Sequence, residues 1–177
     1  MAKGQEMNDQ RIGATVLDAQ QIAEGAARVA ERLNARYSSV DVITVVPGGI
    51  LFTADLVRQV QIDVRMGHIS CPHTPGERHN TSPIVFHDTL GIRGRDVVLV
   101  DDAIESGGTM RRLVDHLVTE YAPSSLAIAT LLVKPGRVEI PVEQFFGFEV
   151  DTDDLLVGYG LPWEDRLRNL PYVARLA

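Results

Sequence analysis

At 177 residues the chain is long enough to bury a substantial core. Its 17 lysines and arginines against 24 aspartates and glutamates leave a net charge of −7, which argues against a nucleic-acid-binding face. Cys71 is the only cysteine, so an intrachain disulfide is excluded, and no apolar stretch approaches membrane-spanning length. The start is polar and lacks the apolar stretch of a signal peptide, so the cytoplasm is the expected location. Residues 1–13 are polar and aperiodic and read as a frayed terminus. Asp18 is placed to cap a helix on which Ile22, Ala26, Val29, Ala30 and Leu33 share one face. Residues 42–46 read as a buried strand, and residues 50–60 as a helix after a tight Pro47-Gly48-Gly49 turn. Residues 62–70 read as the next strand, and residues 72–83, with three prolines and Gly76, as a mobile loop. Residues 84–87 and 97–100 read as strands, with residues 91–94 turning between them. Met110, Leu113, Val114, Leu117, Val118 and Tyr121 recur at helical spacing until Pro123 closes the pattern. Residues 126–133 read as the last long strand, broken by Pro135-Gly136. This alternation predicts an α/β fold with a mainly parallel twisted sheet flanked by helices. Ligands are then expected beyond the carboxyl ends of the strands, where Gly48, Asp101 and Lys134 fall.

The most informative stretch is residues 97–109, VVLVDDAIESGGT. A continuously apolar, β-branched run marks a strand buried on both faces, and it ends in carboxylates and a Gly-rich turn that opens a helix. Backbone N–H groups in such a turn, helped by the helix dipole, suit a phosphate dianion. Gly107 and Gly108 allow close backbone approach, and Ser106 and Thr109 add hydroxyl donors. The turn has no lysine, unlike a P-loop. Asp101, Asp102 and Glu105 instead place acceptors beside the phosphate, a combination suited to a sugar phosphate.

This stretch resembles the signature of the type I phosphoribosyltransferases, enzymes that use 5-phosphoribosyl-1-diphosphate. Residues 48–60 (GGILFTADLVRQV), 131–134 (LLVK), 157–161 (VGYGL) and 168–171 (RNLP) resemble, in the same order, segments of the hypoxanthine-guanine phosphoribosyltransferases. The resemblance implies a domain over residues 14–177. Its core would span about 36–134, with a small hood from about 135–177 and the N-terminal segment. It implies transfer of a phosphoribosyl group to hypoxanthine or guanine, with Asp101 and Asp102 on the ribose hydroxyls and Ser106, Gly107, Gly108 and Thr109 on the 5′-phosphate. Glu105 matches the position of the family's base, usually aspartate, at the purine N7. The longer glutamate must fold back to serve there. Pro47, Gly48, Gly49 and Arg168 would face the diphosphate, and Lys134, Leu155, Leu156 and Trp163 the purine. Lysine at position 134 donates to an exocyclic oxygen and so favours 6-oxopurines over adenine. Mg²⁺ is the implied cofactor, met by Asp101 and Asp102 directly or through water. Residues 72–83 correspond to a flap that closes over the reacting centre. Relatives are commonly dimers or tetramers, so a homo-oligomer is implied, with neither nucleic acid nor membrane as partner.

Four positions depart from the family pattern. Pro47 stands where lysine is common. A non-proline cis bond costs ~2.5–4 kcal/mol while before proline the trans preference is ~0.5–1 kcal/mol, so Val46–Pro47 is expected to be cis. Leu155 replaces a stacking phenylalanine, for which Trp163 offers a substitute. Pro162 replaces an aspartate that supports a second metal, and residues 69–71 lack a Ser-Tyr pair. Departures at positions 47, 155 and 162 keep open a phosphoribosyl-diphosphate-binding regulator with weak or no catalysis, and a transferase for xanthine or another base. His68, Cys71, His73 and His79 crowd one segment, but their spacing fits no zinc motif.

Overall fold

The structure, a computed structural model, describes residues 11–71 and 91–177. The loop or flap read at residues 72–83 and the strand read at 84–87 lie outside the described residues.

In chain order the elements are β1 (Ile12–Leu17), α1 (Ala19–Arg36), β2 (Ser39–Val46), α2 (Ile50–Val57), β3 (Asp63–Ser70), β4 (Asp96–Ile104), α3 (Gly108–His116), β5 (Ser125–Val133), β6 (Glu143–Glu149), β7 (Leu156–Val157) and β8 (Val173–Leu176). Five strands form a parallel sheet in the order β3-β2-β4-β5-β6. The other three form an antiparallel sheet, β1-β8-β7, which joins the two ends of the chain. Among the described residues no helix is long and apolar enough to cross a membrane.

The central strands are apolar on both sides because helices cover both faces. On β4, Val98 and Val100 join the core beneath α1 and α2, while Val97 and Leu99 join the core beneath α3. Alternation along a fully buried strand thus feeds two separate clusters. The α1 stripe reads as expected: Ile22, Ala26, Val29, Ala30 and Leu33 are buried. Asp18 caps it reciprocally, accepting from the Gln21 N–H at 2.8 Å while its own N–H donates to Gln21 Oε1 at 2.9 Å.

Several boundaries differ from the sequence reading. Ile12 and Gly13 belong to β1, with Ile12 opposite Leu176, so order begins before the expected end of the frayed segment. The helix after Gly49 stops at Val57 instead of residue 60. The helix read through Tyr121 ends at His116, continues as one π-helical turn, Leu117–Tyr121, and closes on Ala122 at φ 45° before Pro123. The strand β6 was not expected, since residues 126–133 read as the last long strand. It is an edge strand whose buried positions alternate, with Gly147 interrupting the apolar run. Its phenylalanines gain cover from α1, where the Arg28 and Arg32 guanidinium groups lie 4.8 Å and 5.0 Å from the Phe148 and Phe145 ring centres.

Asp41, buried in the middle of β2, ties three strands together. It accepts from Arg65 Nη2 of β3 at 2.6 Å and from Arg95 Nε and Nη2, just before β4, at 2.7 Å and 2.8 Å. Burial works to raise the Asp41 pKa, but the hydrogen bonds from Arg95 and Arg65 outweigh it and hold the carboxyl below its usual 3.8. A lowered pKa contributes stability that is full above the ordinary value and lost as pH falls through the folded value. Asp41→Ala is expected to cost about 2–3 kcal/mol at pH 7, because charge-assisted bonds are lost while both half-exposed arginines can return to water. Urea unfolding of the two proteins checks this: the gap should close as pH drops below 4, and a gap independent of pH would refute the electrostatic account.

Candidate active site

The carboxyl ends of β2, β3 and β4 converge on one cleft. Its walls include Pro47, Gly48, Asp101, Asp102, Glu105, Ser106, Gly107, Thr109 and Arg168. Nine of the residues singled out in the sequence are therefore brought together. Asp101 and Asp102 sit within β4, which runs on to Ile104, so the sheet ladder itself fixes their positions. After Glu105 and Ser106, Gly107 turns the chain at φ 81° and caps α3, whose N-terminus opens at the cleft. The Ser106 hydroxyl faces this turn, 3.5 Å from the Gly108 N–H.

The opposite wall lies close against the carboxylates. The Val46–Pro47 bond is cis, as expected. Gly49 donates its N–H to the Val45 carbonyl at 2.8 Å. A Cβ on Gly49 would meet the Val100 oxygen at 2.7 Å and Asp101 Cα at 2.9 Å, so only glycine fits there. Gly160, at φ 105°, arrives from the C-terminal segment, where a Cβ would stand 2.3 Å from the Gly48 oxygen and 2.8 Å from Asp102 Oδ2. Asp102 is thus enclosed by backbone on two sides.

Enclosure sets the electrostatics. Burial, and then the Asp102 charge, push the Asp101 carboxyl well above its ordinary value. Burial likewise raises Asp102 to about 6, against the lowering effect of its hydrogen bonds to Asp101 and the Ala103 N–H and of the Arg168 charge. Asp102 Oδ1 accepts the Ala103 N–H at 2.7 Å, and Asp101 Oδ1 accepts the Asp102 N–H at 2.9 Å. Arg168 Nη1 donates to the Gly160 carbonyl at 2.6 Å, while its Nη2 is buried without a hydrogen-bond partner and lies 3.6 Å from Asp165 Oδ1. Arg168 thereby lines the cleft with its guanidinium held by Gly160 and Asp165.

Lys134 adjoins the cleft because Ile104 of β4 pairs with Val133 of β5, placing the next residues of both strands side by side. Its ammonium lies 3.0 Å from Glu105 Oε1 and donates to the Asp154 carbonyl at 2.8 Å. Gly49 and Gly108 are not among the lining residues but stand next to Gly48 and Gly107, which are. None of the four expected purine contacts lines the cleft, and Lys134 is tied to it through Glu105. Leu156 is buried in β7 and belongs to the main core. Trp163 packs with Val157, Leu167, Leu170 and Ala174. Leu155 is half-buried beside the Asp154 carbonyl that holds Lys134. The walls also contain residues that the sequence did not single out as ligand-facing: Val45, Cys71, Met110 and Leu161, with Pro162 beside them. Val45 and Cys71 mark the ends of neighbouring strands, a signal that was available once a parallel sheet was expected. Of the four residues that invited a zinc reading, His73 and His79 lie outside the described residues. Among the described residues no three His, Cys, Asp or Glu side chains gather into a metal site.

The family described as "Phosphoribosyl transferase domain" matches residues 13–162. The hypoxanthine phosphoribosyltransferase of Escherichia coli (strain K12) is 35% identical over 159 residues, 88% of each chain. The hypoxanthine-guanine phosphoribosyltransferase of Mycobacterium tuberculosis (strain ATCC 25618 / H37Rv) is 31% identical over 176 residues, 93% of this chain and 86% of the relative. A crystal structure of a hypoxanthine-guanine phosphoribosyltransferase from Bacillus anthracis is similar with a TM-score of 0.81 and 30% identity, covering 94% of this chain and 99% of that one. The five-stranded parallel sheet between helices is thus the type I phosphoribosyltransferase fold. By the length matched and the identities of these relatives, the chain belongs to the phosphoribosyl transferase family.

Proposed function

We propose that this protein transfers the 5-phosphoribosyl group from phosphoribosyl diphosphate to hypoxanthine or guanine, giving IMP or GMP and diphosphate. The observation that carries this reading is the cleft in which a buried carboxylate pair, a helix-opening glycine turn and a Glu105–Lys134 ion pair adjoin one another. The purine nitrogen forms a bond to the anomeric carbon as the bond from that carbon to the diphosphate oxygen breaks, and diphosphate leaves with the electron pair. Glu105 accepts the proton that the purine ring releases. Lys134 donates to the exocyclic oxygen, with the Asp154 carbonyl fixing its ammonium. Asp101 and Asp102 hold the ribose hydroxyls and stabilise positive charge developing on the sugar. Ser106, Gly107, Gly108 and Thr109 receive the 5′-phosphate, and Arg168 with Gly48 and Gly49 faces the diphosphate.

The donor set also fits Mg²⁺. Asp101 and Asp102 supply hard carboxylate oxygens, and with no third acidic group gathered among the described residues, water and substrate oxygens would complete the shell. The ion, when bound, neutralises charge on the leaving diphosphate. Pro162 on the cleft wall cannot ligate through its side chain.

Nucleotide formation with Mg²⁺ and phosphoribosyl diphosphate, measured in parallel on hypoxanthine, guanine, xanthine, adenine and uracil, tests the proposal. Turnover is expected with hypoxanthine or guanine and not with adenine. One observation favours a second reading: no aromatic ring lines the cleft among the described residues, which weakens stacking on a base. Tight donor binding without turnover on any base would establish that reading, a phosphoribosyl-diphosphate-binding regulator, in place of the enzyme.

A further inference from the structure

Tyr159 lies in the C-terminal segment and is buried, at φ 48° between Gly158 at φ 97° and Gly160 at φ 105°. A tyrosine in this left-handed region is held there by its surroundings. Backbone bonds hold the turn itself: the Tyr159 N–H donates to Leu170, and the Gly160 N–H to Arg168. The side chain reaches elsewhere. Its hydroxyl donates to Asp55 Oδ2 on α2, 104 positions away in sequence. Burial, and then the neighbouring Asp55 carboxylate, raise the Tyr159 pKa, so the hydroxyl stays a donor.

Both ends of this bond lead to the same place. Asp55 stands on the helix that begins immediately after Pro47-Gly48-Gly49, and the Thr53 N–H of that helix donates back to the Gly49 carbonyl at 2.9 Å. Tyr159 precedes Gly160, whose backbone packs on the Gly48 oxygen and Asp102 Oδ2 and whose carbonyl takes the Arg168 guanidinium. Neither Tyr159 nor Asp55 lines the cleft.

We propose that the Tyr159–Asp55 hydrogen bond is a latch that presses the Gly160 turn onto the Gly48–Gly49 turn and so positions Arg168 and these backbone groups for the diphosphate of the donor. Tyr159 and Asp55 are positioning residues, and their effect falls on the donor and spares the purine, whose proposed contacts are the ion-paired Glu105 and Lys134. The proposal rests on the function argued above.

The test uses the full chain with Tyr159→Phe, Asp55→Ala and Asp55→Asn. Asparagine retains an acceptor for the tyrosine hydroxyl; alanine does not. Calorimetric binding of phosphoribosyl diphosphate with Mg²⁺ is measured beside KM for each substrate and thermal unfolding. Tyr159→Phe and Asp55→Ala are expected to weaken donor binding and raise donor KM about 10-fold, the scale of one charge-assisted hydrogen bond. Purine KM should stay within about twofold, and Asp55→Asn should restore donor binding. Donor binding unchanged in both Tyr159→Phe and Asp55→Ala overturns the latch, as does an equal rise in both KM values or an Asn variant as weak as Ala. Should Tyr159→Phe fail to fold, the two Asp55 variants decide. Failure of the unaltered chain to bind the donor is a different result, and it overturns the proposed function and the latch with it.

Discussion

Glu105→Gln is expected to lower kcat on a 6-oxopurine by about 10²–10⁴-fold, the usual contribution of a positioned general base. Glutamine is nearly the same shape, and its amide oxygen can take the place of Glu105 Oε1 opposite the Lys134 ammonium, 3.0 Å away. The substitution therefore preserves the ion pair's geometry as a hydrogen bond while removing the ability to accept a proton. A loss of that size corresponds to about 3–5 kcal/mol of transition-state stabilisation. Donor affinity should be unaffected, because the turn proposed to hold the phosphate begins after Glu105 and the proposed diphosphate contact Arg168 comes from the C-terminal segment. Glu105→Asp supplies the control. It keeps a carboxylate but shortens it by one methylene, so it should retain far more activity than the glutamine variant. Single-turnover kinetics with saturating donor would decide the matter. A glutamine variant within about threefold of the parent rate would remove Glu105 from the proton-transfer role.

How far the sequence reached depended on whether the information was local. The strands β2, β4 and β5 were readable because burial on both faces makes them continuously apolar. The turn after β4 was readable because carboxylates, glycines and helix start follow one another along the chain. Even the Glu105–Lys134 pair follows from parallel registration of adjacent strands, once β4 and β5 are neighbours. Adjacent leucines at 155 and 156 were expected on the purine, but only the second belongs to a strand, β7. Leu156 accordingly enters the core while Leu155 does not. Trp163 was close to the cleft in sequence, but a small cluster from the C-terminal segment takes its ring. The remaining gaps concern contacts between distant segments. Neither the Tyr159–Asp55 bond nor the enclosure of Asp102 by Gly48 and Gly160 leaves any periodicity to read.

That enclosure has a cost in stability, and removing the charge should recover it. Folding raises the Asp102 pKa from 3.8 to about 6, so the folded chain binds this proton more tightly than the unfolded chain between those values. Asp102 therefore favours folding fully below its ordinary value, and that contribution is lost as pH rises through about 6. Above it, the buried carboxylate carries a penalty on the order of 3 kcal/mol. Asp102→Asn keeps the oxygen that accepts the Ala103 N–H and discards the charge. With neither donor nor Mg²⁺ present, this variant is expected to be more stable than the parent by about 1–3 kcal/mol at pH 8 and no more stable at pH 4. Donor binding should fall in parallel, because the carboxylate pair that opposes folding is the group proposed to meet the ribose and the cation. Such an exchange of stability for function is common where a site must hold like charges together. Urea unfolding of both proteins across this range, followed by donor calorimetry, measures the two halves separately. An asparagine variant that is no more stable at pH 8 would show that Arg168 and the neighbouring backbone already compensate the charge in full.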